Sequence, residues 1–163
     1  MSTRVLIADP DESLLHAYRD SLSRSGFQVE TACNGLECVN KLRDFTEDAL
    51  VLELDMPWGG GVGVLAMMHD GCDLPHVPVM ILTGRRNLSE LDNLLLFEML
   101  SEYHVKPLAP EQSSQLIRRM IEEPVLPDQF PYWGSPGHRH SYQAPYPTPK
   151  PPPDAAPVLC AGG

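Results

Sequence analysis

Three short apolar runs, each ending on a residue with a chemically active side chain, most narrowly limit what this chain can fold into. Val5-Leu6-Ile7-Ala8 runs into Asp9, Ala49-Leu50-Val51-Leu52 into Glu53, and Val77-Pro78-Val79-Met80-Ile81-Leu82 into Thr83. Runs this short and this continuous read as strands buried on both faces, the pattern of parallel sheets covered by helices. Helical spacing fills the gaps between them. Leu14, Leu15, Tyr18 and Leu22 share one helical face, with Asp11 placed to cap its start and Gly26 its end. Phe27 to Ala32 alternates as a strand, and Leu36, Val39, Lys41 and Leu42 mark a second helix. Val62 to His69 reads as a short helix after the Gly59-Gly60-Gly61 loop, and Leu88 to Leu100 as another. Tyr103-His104-Val105 is a short fifth strand before Lys106-Pro107, and Pro110 suits the first turn of a last helix carrying Leu116, Ile117, Met120 and Ile121. Five strands alternating with five helices predict an α/β, doubly wound parallel sheet.

The pattern stops near Pro124. Prolines recur from there to Pro157 without apolar periodicity, so residues 1–123 are expected to form one domain and 124–163 a disordered, proline-rich tail. Asp128 and Asp154 balance Arg139 and Lys150 in the tail, which leaves the whole formal charge of -10 on the domain. That charge argues against a nucleic-acid partner, whose phosphates need clustered Lys and Arg. No run approaches the roughly 20 apolar residues of a membrane span, and no signal-peptide core follows Met1, so a cytoplasmic location is expected. Cys33, Cys38, Cys72 and Cys160 lack the spacing of a zinc site or a redox pair.

In open parallel sheets, ligands bind beyond the carboxyl ends of the strands. The polar residues here sit at those ends: Asp9 with Asp11 just beyond, Glu53 with Asp55 two residues on, Thr83, and Lys106. Carboxylates, a hydroxyl and an ammonium at one rim suit a phosphate or hard-cation pocket. The pieces Val-Leu-Ile-Ala-Asp at 5–9, Glu-Leu-Asp-Met-Pro at 53–57, Ile-Leu-Thr-Gly at 81–84 and Tyr-His-Val-Lys-Pro at 103–107 stand in this order. Over residues 4–122 the chain thereby resembles the receiver domain of two-component response regulators. The resemblance implies a flavodoxin-like sheet of order 2-1-3-4-5. It also implies a phosphate acceptor at position 53, a pocket completed by Thr83 and Lys106, a switch aromatic at Tyr103, and a cis Lys106-Pro107 bond.

Two positions depart from the family pattern. Glu53 stands where the family has its acceptor aspartate, and Pro10 where it has a second metal-binding acid. The extra methylene misplaces the carboxylate for in-line attack, and proline offers no oxygen to magnesium. Magnesium, where held at all, is then held weakly, by Asp9 and Glu53 with Asp11 or Asp55 as substitutes. Asp11 reads first as a helix cap, and Asp55 is open as a substitute acceptor. The leading expectation is a stand-alone, non-enzymatic receiver, independent of phosphorylation, with Glu53 drawn to Lys106 as a partial mimic of phosphoaspartate. Its expected partners are a histidine kinase or an output protein, with a homodimer open to the face made by the fourth helix, fifth strand and last helix. A conventional magnesium-assisted phosphorylated receiver is the alternative, and a flavodoxin-like cofactor binder a lesser one. Trp58 reads as a surface aromatic, and Arg85-Arg86 as the opening of a solvated loop.

Overall fold

The computed structural model describes residues 2–44, 47–70, 74–85 and 100–122. Five strands and four helices lie within them, in the order β1 (Arg4–Ala8), α1 (Glu12–Arg24), β2 (Gln28–Ala32), α2 (Gly35–Asp44), β3 (Ala49–Leu52), α3 (Gly60–His69), β4 (Val79–Thr83), β5 (Leu100–Val105) and α4 (Pro110–Glu122). The strands form one parallel sheet in the order β2-β1-β3-β4-β5, as the resemblance implied. β5 carries one residue more than its neighbour: Val79 pairs with Leu100 but Met80 with Glu102.

Alternation along the strands feeds two cores, one on each face. Val5, Ile7, Val51, Met80 and Leu82 pack with Leu15, Tyr18 and Leu22 of α1 and with Ile117 and Met120 of α4. Leu6, Ala8, Leu50, Leu52 and Ile81 pack with Val39 and Leu42 of α2 and with Val64, Leu65 and Met68 of α3. Each large aliphatic side chain so removed from water contributes about 1.5–3 kcal/mol before the entropy of ordering it is subtracted. β1, β3 and β4 read as unbroken apolar runs because both their faces are covered.

Local signals set most boundaries. Asp11 accepts the backbone N–H groups of Ser13 and Leu14 and so caps α1, and Gly26 follows its end at φ 90°. Three expectations need correction. The α3 helix begins at Gly60 rather than Val62, because backbone contacts override the low helical propensity of its glycines. β4 starts at Val79, two residues after the apolar run opens. Leu100 opens β5 instead of closing a helix, since pairing with Val79 claims its backbone; the rest of the expected 88–100 helix lies outside the described residues, as does 124–163. Among the described residues no helix is long and apolar enough to cross a membrane.

Glu47, just before β3, is a discordant element of the core. It is buried, and among the described residues neither carboxylate oxygen has a hydrogen-bond partner. Burial pushes its carboxyl above the ordinary value, while the charge of Arg4 opposes this. The folded protein therefore holds the Glu47 proton more tightly than the unfolded chain does. Stability contributed at this site falls as pH rises through the ordinary glutamate value, about 4.3, towards the higher folded value. Glu47→Gln is expected to stabilise the fold by about 1–2 kcal/mol at pH 7 and by almost nothing at pH 4, measured by urea denaturation. A gain of equal size at both pH values would contradict this account.

Candidate functional site

The sheet's hydrogen-bond ladder extends one residue past the strand ends and thereby fixes the rim. Asp9 N–H donates to the Ala32 carbonyl at 2.9 Å, Glu53 N–H to the Ala8 carbonyl at 2.9 Å, and Lys106 N–H to the Thr83 carbonyl at 2.8 Å. The side chains that follow β1, β3 and β5, together with Thr83 at the end of β4, are thus held on one edge by backbone bonds.

They meet around the Glu53 carboxylate. Glu53 Oε1 accepts the backbone N–H groups of Leu54 at 2.7 Å and Asp55 at 3.0 Å and the Thr83 hydroxyl at 2.5 Å. Oε2 accepts the Gly84 N–H at 3.2 Å and lies 2.8 Å from Lys106 Nζ. The same ammonium donates to Asp9 Oδ2 at 2.5 Å, and Asp9 Oδ1 accepts the Asp11 N–H at 2.9 Å. Asp9, Glu53 and Thr83 are buried at 2 %, 4 % and 0 % exposure, so these bonds are little screened by water. Burial alone would raise the Glu53 carboxyl, but hydrogen bonds from Lys106, Thr83 and Asp55 and the Lys106 charge hold it below the ordinary range. Burial would lower the Lys106 ammonium, and the bonds it donates to Asp9 and Glu53 hold it above its ordinary value instead.

A second, more exposed set of contacts surrounds this centre. Arg85 Nε lies 2.8 Å from both Asp55 oxygens, and its Nη2 also bonds Oδ1. The Tyr103 hydroxyl donates to the Arg85 carbonyl at 3.1 Å. Asp11 faces its own helix as a cap. The Lys106-Pro107 peptide is cis. Trp58 is 77 % exposed, on a loop where it adopts a φ of 57°.

The response regulator receiver domain family matches this sequence over residues 5–118. The chain belongs to that family. Response regulator MprA of Mycobacterium ulcerans is 32% identical over 132 residues, which cover 78% of this chain and 54% of that protein. MprA of Mycobacterium tuberculosis is 36% identical over 90 residues, 55% of this chain and 38% of the relative. The chain thus spans about half or less of the length of these curated relatives. Among solved structures, a CheY-like receiver domain from Methanospirillum hungatei superposes with a TM-score of 0.68 at 24% identity, covering 76% of this chain and 96% of that one. A receiver domain from Clostridium thermocellum does so with a TM-score of 0.63 at 27% identity, covering 74% and 94%.

In this receiver domain of two-component signalling, the acids at the rim are engaged by other groups of the same chain. A divalent cation of the magnesium type needs several oxygens free to face it. Here Asp9 is shared between Lys106 and the Asp11 N–H, both Glu53 oxygens accept bonds, Asp55 is engaged by Arg85, and Pro10 has no side-chain oxygen. Among the described residues no cluster of three or more His, Cys, Asp or Glu is arranged to hold a metal. The residues present therefore fit such a cation poorly.

Two participants in this receiver were not evident from sequence. Arg85 engages Asp55 of its own chain, a pairing signalled only by opposite charges two residues beyond Thr83 and Glu53. Gly61 stands so close to the end of β3 that a Cβ there would lie 2.3 Å from the Glu53 carbonyl oxygen. Nothing local in the sequence announces that approach.

Proposed function

We propose that this receiver signals by binding a protein partner rather than by accepting phosphate, with Glu53 fixed in the place of a phosphorylated aspartate. The observation that carries this reading is the convergence of five donors on one buried carboxylate: the N–H groups of Leu54, Asp55 and Gly84, the Thr83 hydroxyl and the Lys106 ammonium. A hydroxyl, backbone amides and an ammonium are the groups that would otherwise gather phosphoryl oxygens. With both its oxygens engaged and its charge matched by Lys106, the carboxylate is poorly placed to attack a phosphodonor. Thr83 is held towards Glu53 and Tyr103 towards Arg85, so the aromatic position is biased by the same cluster. No turnover is assigned to the pocket, no resident cation is required for this mode of action, and the domain acts as a binding module.

The partner chemistry this supports is a signalling protein such as a histidine kinase or an output protein. The test is incubation of the wild-type chain with acetyl phosphate and magnesium chloride, followed by intact mass spectrometry. No phosphoryl adduct is expected. Ready formation of an acyl phosphate would restore the conventional phosphorylated reading, in which the pocket must open to admit both donor and cation.

A further inference from the structure

We propose that Leu36, Trp58 and Val62 form the contact surface of a reversible homodimer, in which the indole of one copy packs on the first turns of α3 in the other. The surface lies at the amino-terminal ends of α2 and α3 and shares no residue with the face made by β5 and α4. The inference does not depend on whether position 53 accepts phosphate.

Among the described residues, the exposed large apolar side chains are Trp58 at 77 %, Leu36 at 58 % and Val62 at 38 %. Scattered singly they would need no explanation, but they lie on segments in backbone contact. The Gly35 N–H donates to the Pro57 carbonyl at 3.1 Å, and a Cβ on Gly35 would stand 2.6 Å from the Trp58 carbonyl oxygen and 3.2 Å from Gly60 N. Leu36 follows Gly35, and Val62 lies two residues past Gly60. The start of α2, the loop after β3 and the start of α3 thus carry one apolar surface.

Trp58 is held there against its backbone preference. Its φ is 57°, followed by Gly59 at 98° and Gly60 at 63°. Glycine takes such values freely, whereas a bulky residue is strained by them. An indole so exposed returns little of that strain to the isolated fold. Burial against another surface would return it.

Charge decides what can cover this surface. The ionised side chains on the segments that carry it are matched within the chain, Glu37 with Lys41 at 3.1 Å and Asp55 with Arg85. It therefore offers no spare charge with which to recognise a charged partner, and two copies of it can meet without like charges facing each other. The formal charge of -10 repels a second copy over the molecule at large and favours meeting at the matched patch. A two-fold axis pairs one residue with another and the second with the first, so the surface must carry both a projection and a recess. Trp58 is the projection. At Gly59 and Gly63, four positions apart and so on one side of α3, nothing lies within 4 Å of where a Cβ would stand, and a flat ring can settle on that backbone. Three apolar side chains from each copy make an interface below the roughly 800 Å² per partner of a stable complex, so dimerisation is expected at concentrations on the order of 100 µM.

The experiment is sedimentation velocity on the full chain from about 10 µM to about 1 mM, with monomer expected at the low end and dimer at the high end. In the chain carrying Trp133→Phe, which leaves Trp58 as the one tryptophan, emission should move to shorter wavelength over the same range. Trp58→Gly should raise the concentration needed for dimerisation about tenfold or more, while leaving the urea midpoint at or above the wild-type value because glycine relaxes the left-handed backbone. Val62→Glu, which sets like charges across the axis, should weaken the dimer as much. Sodium chloride at about 1 M should preserve or tighten association, since it screens the charge of the two domains. A monomer throughout, a fixed emission, a dimer unmoved by Trp58→Gly and Val62→Glu, a dimer dispersed by salt, or a lowered urea midpoint in Trp58→Gly would each overturn the proposal. Labelling by acetyl phosphate bears only on the phosphorylation-independent reading, so the two failures are separable.

Discussion

Replacing Lys106 with methionine is expected to destabilise the domain by about 3–5 kcal/mol at neutral pH, the range found when one partner of a buried ion pair is removed. The lysine is shared by two acids, lying 2.5 Å from Asp9 and 2.8 Å from Glu53, whose side chains are only 3% and 5% exposed. Without the ammonium, two like charges remain in a site that water hardly reaches. The pH dependence distinguishes this mechanism from simple loss of packing. Glu53 is held below its ordinary value, so its contribution is present above the unfolded value of about 4.3 and is lost as pH falls through the lower folded value. Lys106 is held above its ordinary value, so its contribution is complete below about 10.4 and is lost as pH rises beyond it. Wild-type protein should therefore show a plateau between about pH 5 and pH 10 from this cluster. Lys106→Met should lose most within that plateau and recover on acidification, as the stranded Glu53 protonates. Adding Asp9→Asn and Glu53→Gln to Lys106→Met should return most of the loss at pH 7. A small, pH-independent effect in urea denaturation would mean that the three charges are not coupled.

Gly61→Ala should be the second severe change, at about 3 kcal/mol, although alanine is the better helix former. A Cβ at this position would lie 2.3 Å from the Glu53 carbonyl oxygen and 2.8 Å from Leu54 Cα. Both are backbone atoms at the end of β3, and the Gly61 N–H is bonded to the Leu54 carbonyl at 3.0 Å. No rotamer change can make room, so either α3 or the loop after β3 must shift. Gly63→Ala, two residues further along α3, supplies the control: nothing lies within 4 Å of its Cβ position, and a gain of up to about 1 kcal/mol is expected. Urea midpoints that failed to separate the two variants would show that α3 is free to slide over the loop.

The sheet was legible in the sequence because β1, β3 and β4 are covered on both faces, and burial on both faces writes an unbroken apolar run. The residues at the ends of those runs were legible for the same reason, since a polar group directly after a buried strand can only lie at the rim. That is how Asp9, Glu53 and Thr83 could be grouped from spacing, whereas Lys106 follows the weakly marked β5. Edges and helix starts were harder. β5 has intermediate burial over most of its length, so Ser101 and Glu102 gave no apolar signal. The α3 helix opens on glycines that a propensity argument assigns to a loop, whereas the close approach to the backbone after β3 accounts for Gly61. Arg85 was unreadable for another reason: whether an arginine after a strand meets solvent or an acid across the pocket depends on two loops that are 30 residues apart in sequence.

Leu100 and Tyr103 lie three positions apart in β5, an odd interval that in an unbroken strand sends side chains to opposite faces of the sheet. Both nevertheless pack in the layer that contains Val79 and Ile81. The supernumerary residue opposite the Val79–Met80 step reverses the parity and brings the aromatic to the side on which its hydroxyl reaches Arg85. Which face of the sheet carries this aromatic is thus settled by a count and not by any chemical property of the tyrosine. A single insertion or deletion in this strand would turn the ring to the other face while every residue around Glu53 stayed the same.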